Sequence, residues 1–136
     1  MIYIAEKEKE GEKTGIKQIS AALNLPAPFL GKVLQLLAKQ KILKSLKGPN
    51  GGFSMMKDPR KVTLYEVITT IDGKDVLRSC LLHDESCKSI GKSKKACPVH
   101  DKFIQMQTQM IDLFKKTTIY DIAAKSEEGK LSVSNS

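Results

Sequence analysis

The sequence predicts a mainly α-helical fold with one small β-hairpin. Two observations carry this prediction. Apolar residues recur at spacings of three and four along several stretches, which is the period of an amphipathic helix. One glycine-rich stretch, GPNGG at residues 48–52, separates two short apolar runs and is typical of a hairpin turn. The length of 136 residues suits one domain with an appendage.

Composition and charge restrict the class of protein. No apolar run approaches the roughly 18 residues that a membrane span needs, and the first residues lack a signal-peptide core. We therefore expect a cytoplasmic protein with no membrane partner. The net charge of +8 favours a polyanionic partner such as nucleic acid, although a solvated lysine-rich surface would give the same charge. The 5% aromatic content, with no Trp, argues against single-strand binding by base stacking.

The first ten residues begin apolar, as MIYIA, and end charged, as EKEKE. This pattern is typical of the last turns of a helix, and Gly11 ends it. A helix of little over one turn is marginal in water. We therefore expect a first helix that lacks its beginning, or a segment that frays.

Two short helices are predicted next. Ile16, Ile19 and Leu23 give the first helix its apolar stripe, and Thr14 is its expected N-cap. The second helix begins near Pro28, because proline is tolerated in a first turn. Two short helices joined by a tight turn form a helix-turn-helix, although an ordinary helical hairpin has the same pattern. The apolar face predicted for the second helix consists of Phe29, Leu30, Val33, Leu34, Leu37 and Ala38.

The hairpin follows directly on the second helix. Asn50 and Gly51 favour a tight turn, since both central residues of such a turn need positive φ. Helix, turn, helix and basic hairpin together predict a winged helix-turn-helix. The loop lacks the Gly-Lys-Ser/Thr of a nucleotide-binding loop, so we exclude that kind of site.

Three further helices complete the prediction. Thr63 and Glu66 form a capping box for a helix that Gly73 ends. A long helix over 98–117 carries a wide apolar stripe, which either covers the core of its own chain or pairs with a symmetry mate. We favour pairing in a homodimer, because the stripe is long for so small a domain. Thr118 and Asp121 cap a last short helix. The stripe of the long helix consists of Val99, Phe103, Ile104, Met106, Met110, Ile111, Leu113 and Phe114.

These elements divide the chain into four segments. Residues 1–73 are the predicted winged helix-turn-helix, with its first helix truncated, and residues 74–97 are a loop that contains the cysteines. Residues 98–124 are the predicted dimerisation helix and short terminal helix. Residues 125–136 lack periodicity and read as a disordered tail.

All three cysteines and both histidines lie in SCLLHDESCKSIGKSKKACPVH, residues 79–100. Cys80, Cys87, Cys97 and His100 are four soft or borderline donors that one loop can wrap around a metal, and the lysines between them favour thiolates. Their spacing leaves open an iron–sulfur cluster, structural zinc and free thiols. No nucleophile–base pair accompanies the thiols, so we expect no enzyme, with a small thiol redox or cluster-transfer protein as the alternative.

The basic helix and hairpin supply the candidates for DNA contact. Lys32 and Gln35 are the best candidates for base edges, because a recognition helix enters the major groove. Pro28 stands at the start of that helix. The expected contacts to phosphates and to the minor groove come from Lys17, Lys39, Lys44, Lys47 and Asn50.

The chain resembles the bacterial iron–sulfur cluster regulators, a family of winged-helix transcription regulators that includes nitric-oxide-sensitive repressors. The resemblance covers residues 1–123 and depends on GIKQIS, KGPNGGF, VTLYEVITTIDG, the cysteine triad ending in CPVH, and TTIYDI. It implies a homodimer on a palindromic operator in double-stranded DNA. It also implies a 2Fe–2S or 4Fe–4S cluster on the three cysteines, with His100 at a fourth-ligand position that varies in the family. A winged-helix regulator with structural zinc or no metal remains the alternative.

Overall fold

The computed structural model describes residues 1–49, 51–80 and 98–127. It confirms a mainly α fold with one antiparallel hairpin. A short 3-10 helix, Pro59–Lys61, follows the second strand. The six described helices and two strands are α1 (Ile2–Lys9), α2 (Ile16–Leu23), α3 (Ala27–Lys39), β1 (Leu43–Leu46), β2 (Gly52–Met55), α4 (Leu64–Asp72), α5 (His100–Lys116) and α6 (Ile119–Glu127).

The hairpin pairs Leu43 with Met55 at its base and Leu46 with Gly52 near its tip. Its base is fastened to the core, because Leu43 and Met55 are buried while Leu46 is exposed. The predicted turn therefore lies between the two strands, at the end farthest from the core. Asn50, on which the turn prediction partly depended, lies outside the described residues.

One hydrophobic core joins both ends of the described chain. Ile4 of α1 and Ile119 of α6 are each 1% exposed and belong to the same cluster as the buried residues of α3 and the hairpin. Burial of one such side chain contributes about 1.5–3 kcal/mol. Helix α1 packs against α6 and β2, so the first ten residues form a helix that packing stabilises and do not fray. The other main members of the core are Ile19, Leu30, Leu34, Leu37, Ile42, Leu43, Phe53, Met55, Val62 and Val67.

The predicted helix ends are mostly confirmed. Thr63 Oγ1 accepts a hydrogen bond from the Glu66 amide, as an N-cap should. The Glu66 carboxylate instead accepts two hydrogen bonds from Lys57 Nζ, so it serves the loop before α4. Gly73, with φ of 85°, ends α4. At α6 both halves of the capping box form between Thr118 and Asp121.

Three predicted boundaries were wrong. Thr14 is not the N-cap of α2: it is buried and pairs with Phe53, while Gly15 takes the N-cap position. The long helix begins at His100, because Pro98 and Val99 form the turn before it. Helix α6 continues to Glu127, so the predicted tail begins inside a helix. The pairing of Thr14 with Phe53 leaves no periodic signal in the sequence.

The apolar stripe of α5 is divided between two faces. Helix α5 packs against α4, and its half-buried apolar residues are Phe103, Ile104, Ile111 and Phe114. A second row remains exposed: Met106 is 67%, Met110 39% and Leu113 59% exposed. Phe29 of α3, expected in the core, is likewise exposed, at 55%.

No single helix among the described residues is both long and apolar enough to cross a membrane; only the bent pair α2 and α3 passes that test, on length and composition.

Candidate nucleic-acid interface

Helices α2 and α3 have the relative orientation of a helix-turn-helix. The chain direction turns by 118° between them, at the upper end of the roughly 90–120° of this motif. Asn24 makes the turn possible with a left-handed backbone, φ 52°. Pro26 then holds extended backbone at the N-cap of α3. The hydroxyl of Ser20 donates to the Leu25 carbonyl and closes the turn.

The outer face of α3 is set by the packing of its inner face. Leu30, Leu34 and Leu37 are buried in the core. The residues at spacings of four, three and four on the opposite side are all exposed, and so share one face. This face, which we call the α3 outer face, consists of Pro28, Lys32, Gln35 and Lys39.

The hairpin, here called the wing, is held against the start of α2 and against α1. The Phe53 amide donates to the Thr14 carbonyl at 2.8 Å, and the Met55 amide donates to Glu8 Oε2 at 2.9 Å. Gly52 allows this approach, because a Cβ at that position would stand 2.8 Å from the Thr14 carbonyl oxygen. The wing therefore has a fixed position beside α2 and α3.

This anchoring creates a groove of about 560 Å³ between the wing and the two helices. Lys17 of α2 and Gln35 of α3 both line it. A second groove of about 560 Å³ lies beside the wing tip, with Lys13, Gln18 and Pro49 in its lining. The wing grooves, as we call this pair, meet along Gln18 and the adjoining glycines.

Seven of the eight residues predicted to contact DNA lie in the described part, and all seven are exposed. Lys44 and Lys47 belong to the wing without lining either of the wing grooves, and Asn50 lies outside the described residues. No described carboxylate lies within 4.0 Å of any of the five predicted lysines. Their charges are therefore available to an external anion. The five are Lys17, Lys32, Lys39, Lys44 and Lys47.

Sequence reasoning missed three polar residues that line the wing grooves: Lys13, Gln18 and Ser45. They come from the turn before α2, from α2 and from β1. The pairing of Thr14 with Phe53 joins the start of α2 to the hairpin. No spacing in the sequence could have predicted that pairing, although the charge of Lys13 was a signal.

The predicted cluster ligands are only partly described. Cys80 is 8% exposed and follows a turn in which the Ser79 amide donates to the Asp75 carbonyl. His100 is the first residue of α5. Cys87 and Cys97 lie outside the described residues, and the remaining residues hold no group of three potential metal ligands. As a donor set, three thiolates and one imidazole fit an iron–sulfur cluster.

Comparison with known proteins agrees with this geometry. The model of a family described as Rrf2, iron-dependent transcriptional regulator, matches residues 1–125. A protein of Aquifex aeolicus named as an HTH-type transcriptional regulator is 34% identical over 88% of this chain and 81% of its own. These relatives are named as regulators, which confirms the expectation of a regulator and not an enzyme.

Solved structures share the fold. The structure of CymR, described as the global cysteine regulator of B. subtilis, has a TM-score of 0.71 at 22% identity, over 91% of this chain and 87% of that one. T. potens IscR has a TM-score of 0.66 at 18% identity, over 96% and 83% of the two chains. With a family match over nearly its whole length and this fold, the chain belongs to the Rrf2 family of transcriptional regulators.

Proposed function

We propose that this regulator binds double-stranded DNA as a homodimer, and that an iron–sulfur cluster on Cys80, Cys87, Cys97 and His100 sets its affinity for the operator. The observation that carries the DNA-binding part is the exposed α3 outer face next to a fixed, basic wing. The cluster part depends on the donor set and on the family.

The α3 outer face has the chemistry for base reading. Lys32 can donate to guanine in the major groove, and Gln35 can pair with adenine through two hydrogen bonds. Lys17 on α2 and Lys39 at the end of the α3 outer face suit phosphates, as do Lys44 and Lys47 on the wing. A recognition helix enters the groove with its N-terminal residues first, which gives Pro28 a place close to the bases.

The exposed apolar row on α5 supports the proposed two-fold dimer. Met106, Met110 and Leu113 recur at spacings of four and three, and Val99, 43% exposed, continues the row by one heptad. Pairing of two such rows would bury apolar surface that the single chain leaves in water. A dimer of this kind presents two recognition helices and reads a palindromic operator.

Residues 80–100, which contain the proposed ligands, connect α4 to α5 in the sequence. Cys80 comes eight residues after the end of α4, and His100 begins α5, which packs against α4. When bound, the cluster would supply iron chemistry that responds to redox state and to reactive gases. The cysteines and His100 would hold it and thereby couple the ends of α4 and α5. Such coupling is typically worth about 1–3 kcal/mol.

The direct test is anaerobic purification from iron-supplied cells, followed by absorption spectroscopy, iron and sulfide analysis, and titration of promoter DNA of its own gene. We expect a coloured protein whose DNA affinity changes when the cluster is removed. C80S, C87S and C97S should each abolish the colour. His83→Ala is the comparison variant, because His83 lies in the same segment and is the spare ligand candidate. Its colour should persist, and loss of colour would place His83 in the ligand set. A colourless protein with stoichiometric zinc would refute the cluster part of the proposal. The DNA-binding part is tested separately by the DNA titration.

A further inference from the structure

A pocket of about 380 Å³ lies where α1, the end of β2, the 3-10 helix and α6 meet. This volume is at the lower end of the range of small-molecule sites, roughly 300–1,000 Å³. The pocket shares no lining residue with the wing grooves. We call it the α1–α6 pocket.

The floor of the α1–α6 pocket is apolar and its rim is charged. Ala5, Met55 and Ala123 line the pocket and are each at most 6% exposed. Two exposed cations also line the pocket: Lys9 from α1 and Arg60 from the 3-10 helix. Both lie beside Tyr120 of α6. A ligand here would meet buried carbon on one side and positive charge on the other.

Arg60 is pre-oriented by an aromatic ring. The carbon of its guanidinium lies 4.7 Å from the centroid of the Tyr120 ring, and Lys9 Nζ lies 5.4 Å from the same centroid. Stacking of this kind uses the face of the guanidinium and leaves its edge N–H donors open. Those donors match the two oxygens of a carboxylate.

The two acidic residues in the lining each accept a hydrogen bond from a backbone amide. Glu8 Oε2 accepts from the Met55 amide, and Asp58 Oδ1 accepts from the Arg60 amide, each at 2.9 Å. No carboxylate of the described residues lies within 4.0 Å of the Arg60 guanidinium. Its charge is thus open to an anion from outside the chain.

We propose that the α1–α6 pocket binds a small organic carboxylate with an apolar body. Its carboxylate takes the edge of Arg60, and its apolar part covers Ala5, Met55 and Ala123. Met55 ends β2, and its amide is hydrogen-bonded to Glu8 of α1, so the ligand contacts the base of the wing. Binding itself requires neither DNA nor a cluster.

The probe for the test is 3-phenylpropionate, with its neutral amide as the matched compound. The chain carries five methionines, so methyl-¹³C labelling gives a reporter on each side of the molecule. We expect saturable shifts of the Met55 and Met56 methyl signals, with those of Met106 and Met110 unmoved. The amide should bind about tenfold or more weakly, because it cannot form the charge-assisted pair. Equal binding of acid and amide, or no saturable shift, would overturn the proposal.

Two variants of the 3-10 helix complete the experiment on the full chain. Arg60→Gln should weaken 3-phenylpropionate about tenfold or more, whereas Lys61→Gln should leave its affinity unchanged. Lys61 is the matched control, since it is an exposed cation of the same helix outside the pocket lining. Equal affinities of the two variants would refute the role of Arg60, and the comparison of acid with amide stands without any variant.

Discussion

At Gly52 the wing approaches the start of α2 so closely that no side chain fits. The backbone there has φ of 150°, and a Cβ would stand 2.8 Å from the Thr14 carbonyl oxygen. Gly48, in the turn before β2, also has positive φ, 104°, but a Cβ there would meet nothing within 4 Å. Comparing substitutions at these two glycines therefore distinguishes the cost of backbone strain from the cost of a steric clash.

We therefore expect Gly52→Ala to lower the free energy of unfolding by at least about 2 kcal/mol, and Gly48→Ala by about 1 kcal/mol. Both variants carry the strain of positive φ, and only the first also pushes Thr14 away from the wing. Urea unfolding followed by circular dichroism measures the difference. Equal losses would mean that the contact between Thr14 and the wing does not restrain Gly52.

The start of α6 gives a prediction on pH. Hydrogen bonds from the amide and the hydroxyl of Thr118 lower the pKa of Asp121 below its ordinary value of 3.8. A carboxyl whose folded pKa is lowered stabilises the fold above the unfolded pKa, and this stabilisation is lost as pH falls through the folded pKa.

Wild-type protein should thus be more stable than Asp121→Asn at pH 7, and the difference should shrink below pH 3.8 as Asp121 is protonated. Urea unfolding of both proteins at a series of pH values measures it. Asp112→Asn, an exposed carboxylate on α5, is the control and should show a smaller change. A difference that is constant with pH would contradict the role of the charge.

Among the elements, α3 and the wing make different kinds of contact in the proposed complex. A lysine that contacts a phosphate releases a counterion from the DNA. Each such lysine removed should therefore make the negative slope of log K against log salt shallower by about 1. We expect this of Lys44→Gln and of Lys47→Gln, with similar losses on operator and random DNA. Fluorescence anisotropy at several salt concentrations measures the slope. Lys116→Gln, at the far end of α5, should leave it unchanged.

Gln35→Ala on the α3 outer face should behave otherwise. Loss of a base-edge contact costs about 1–3 kcal/mol on the operator and relaxes the choice of one base. Binding to random DNA should hardly change. A loss of equal size on both DNAs would show that Gln35 contributes through general affinity and not through reading of a base.

How far the sequence predicts these elements differs from one to the next. The apolar period located α2 and α3, and capping residues located the starts of α4 and α6, because those signals are local. The pairing of Thr14 with Phe53 joins residues far apart in the chain and left no signal. The stripe of α5 was seen in full, but its division into a packed and an exposed row depends on where α4 lies. Phe29 was predicted in the apolar face of α3 and is 55% exposed.

The candidate site was predictable to a similar extent. Exposure of Lys32 and Gln35 follows from the helical period, once Leu30, Leu34 and Leu37 are placed in the core. The helical period does not predict that Lys17 and Gln35 line the same groove. The wing closes this groove, and its position depends on the backbone pairing with Thr14.

At the scale of the whole molecule, the exposed row of α5 is the proposed dimer interface. Leu113 is 59% exposed and Met106 67% exposed in the single chain. If two copies pair through these rows, each dimer buries two copies of Leu113, and each would contribute about 1.5–3 kcal/mol. Replacement by a charged residue removes that gain and adds the cost of burying charge.

Leu113→Lys should therefore raise the dissociation constant of the dimer by about 100-fold or more. Light scattering after size exclusion should report a monomer at concentrations where wild type is a dimer, and circular dichroism should be unchanged. Gln105→Lys is the matched control, because Gln105 is exposed on α5 outside the row. If the operator is two-fold, the monomeric variant should bind a half-site with unchanged affinity and should no longer prefer the full palindrome. A Leu113→Lys protein that stays dimeric would place the interface elsewhere.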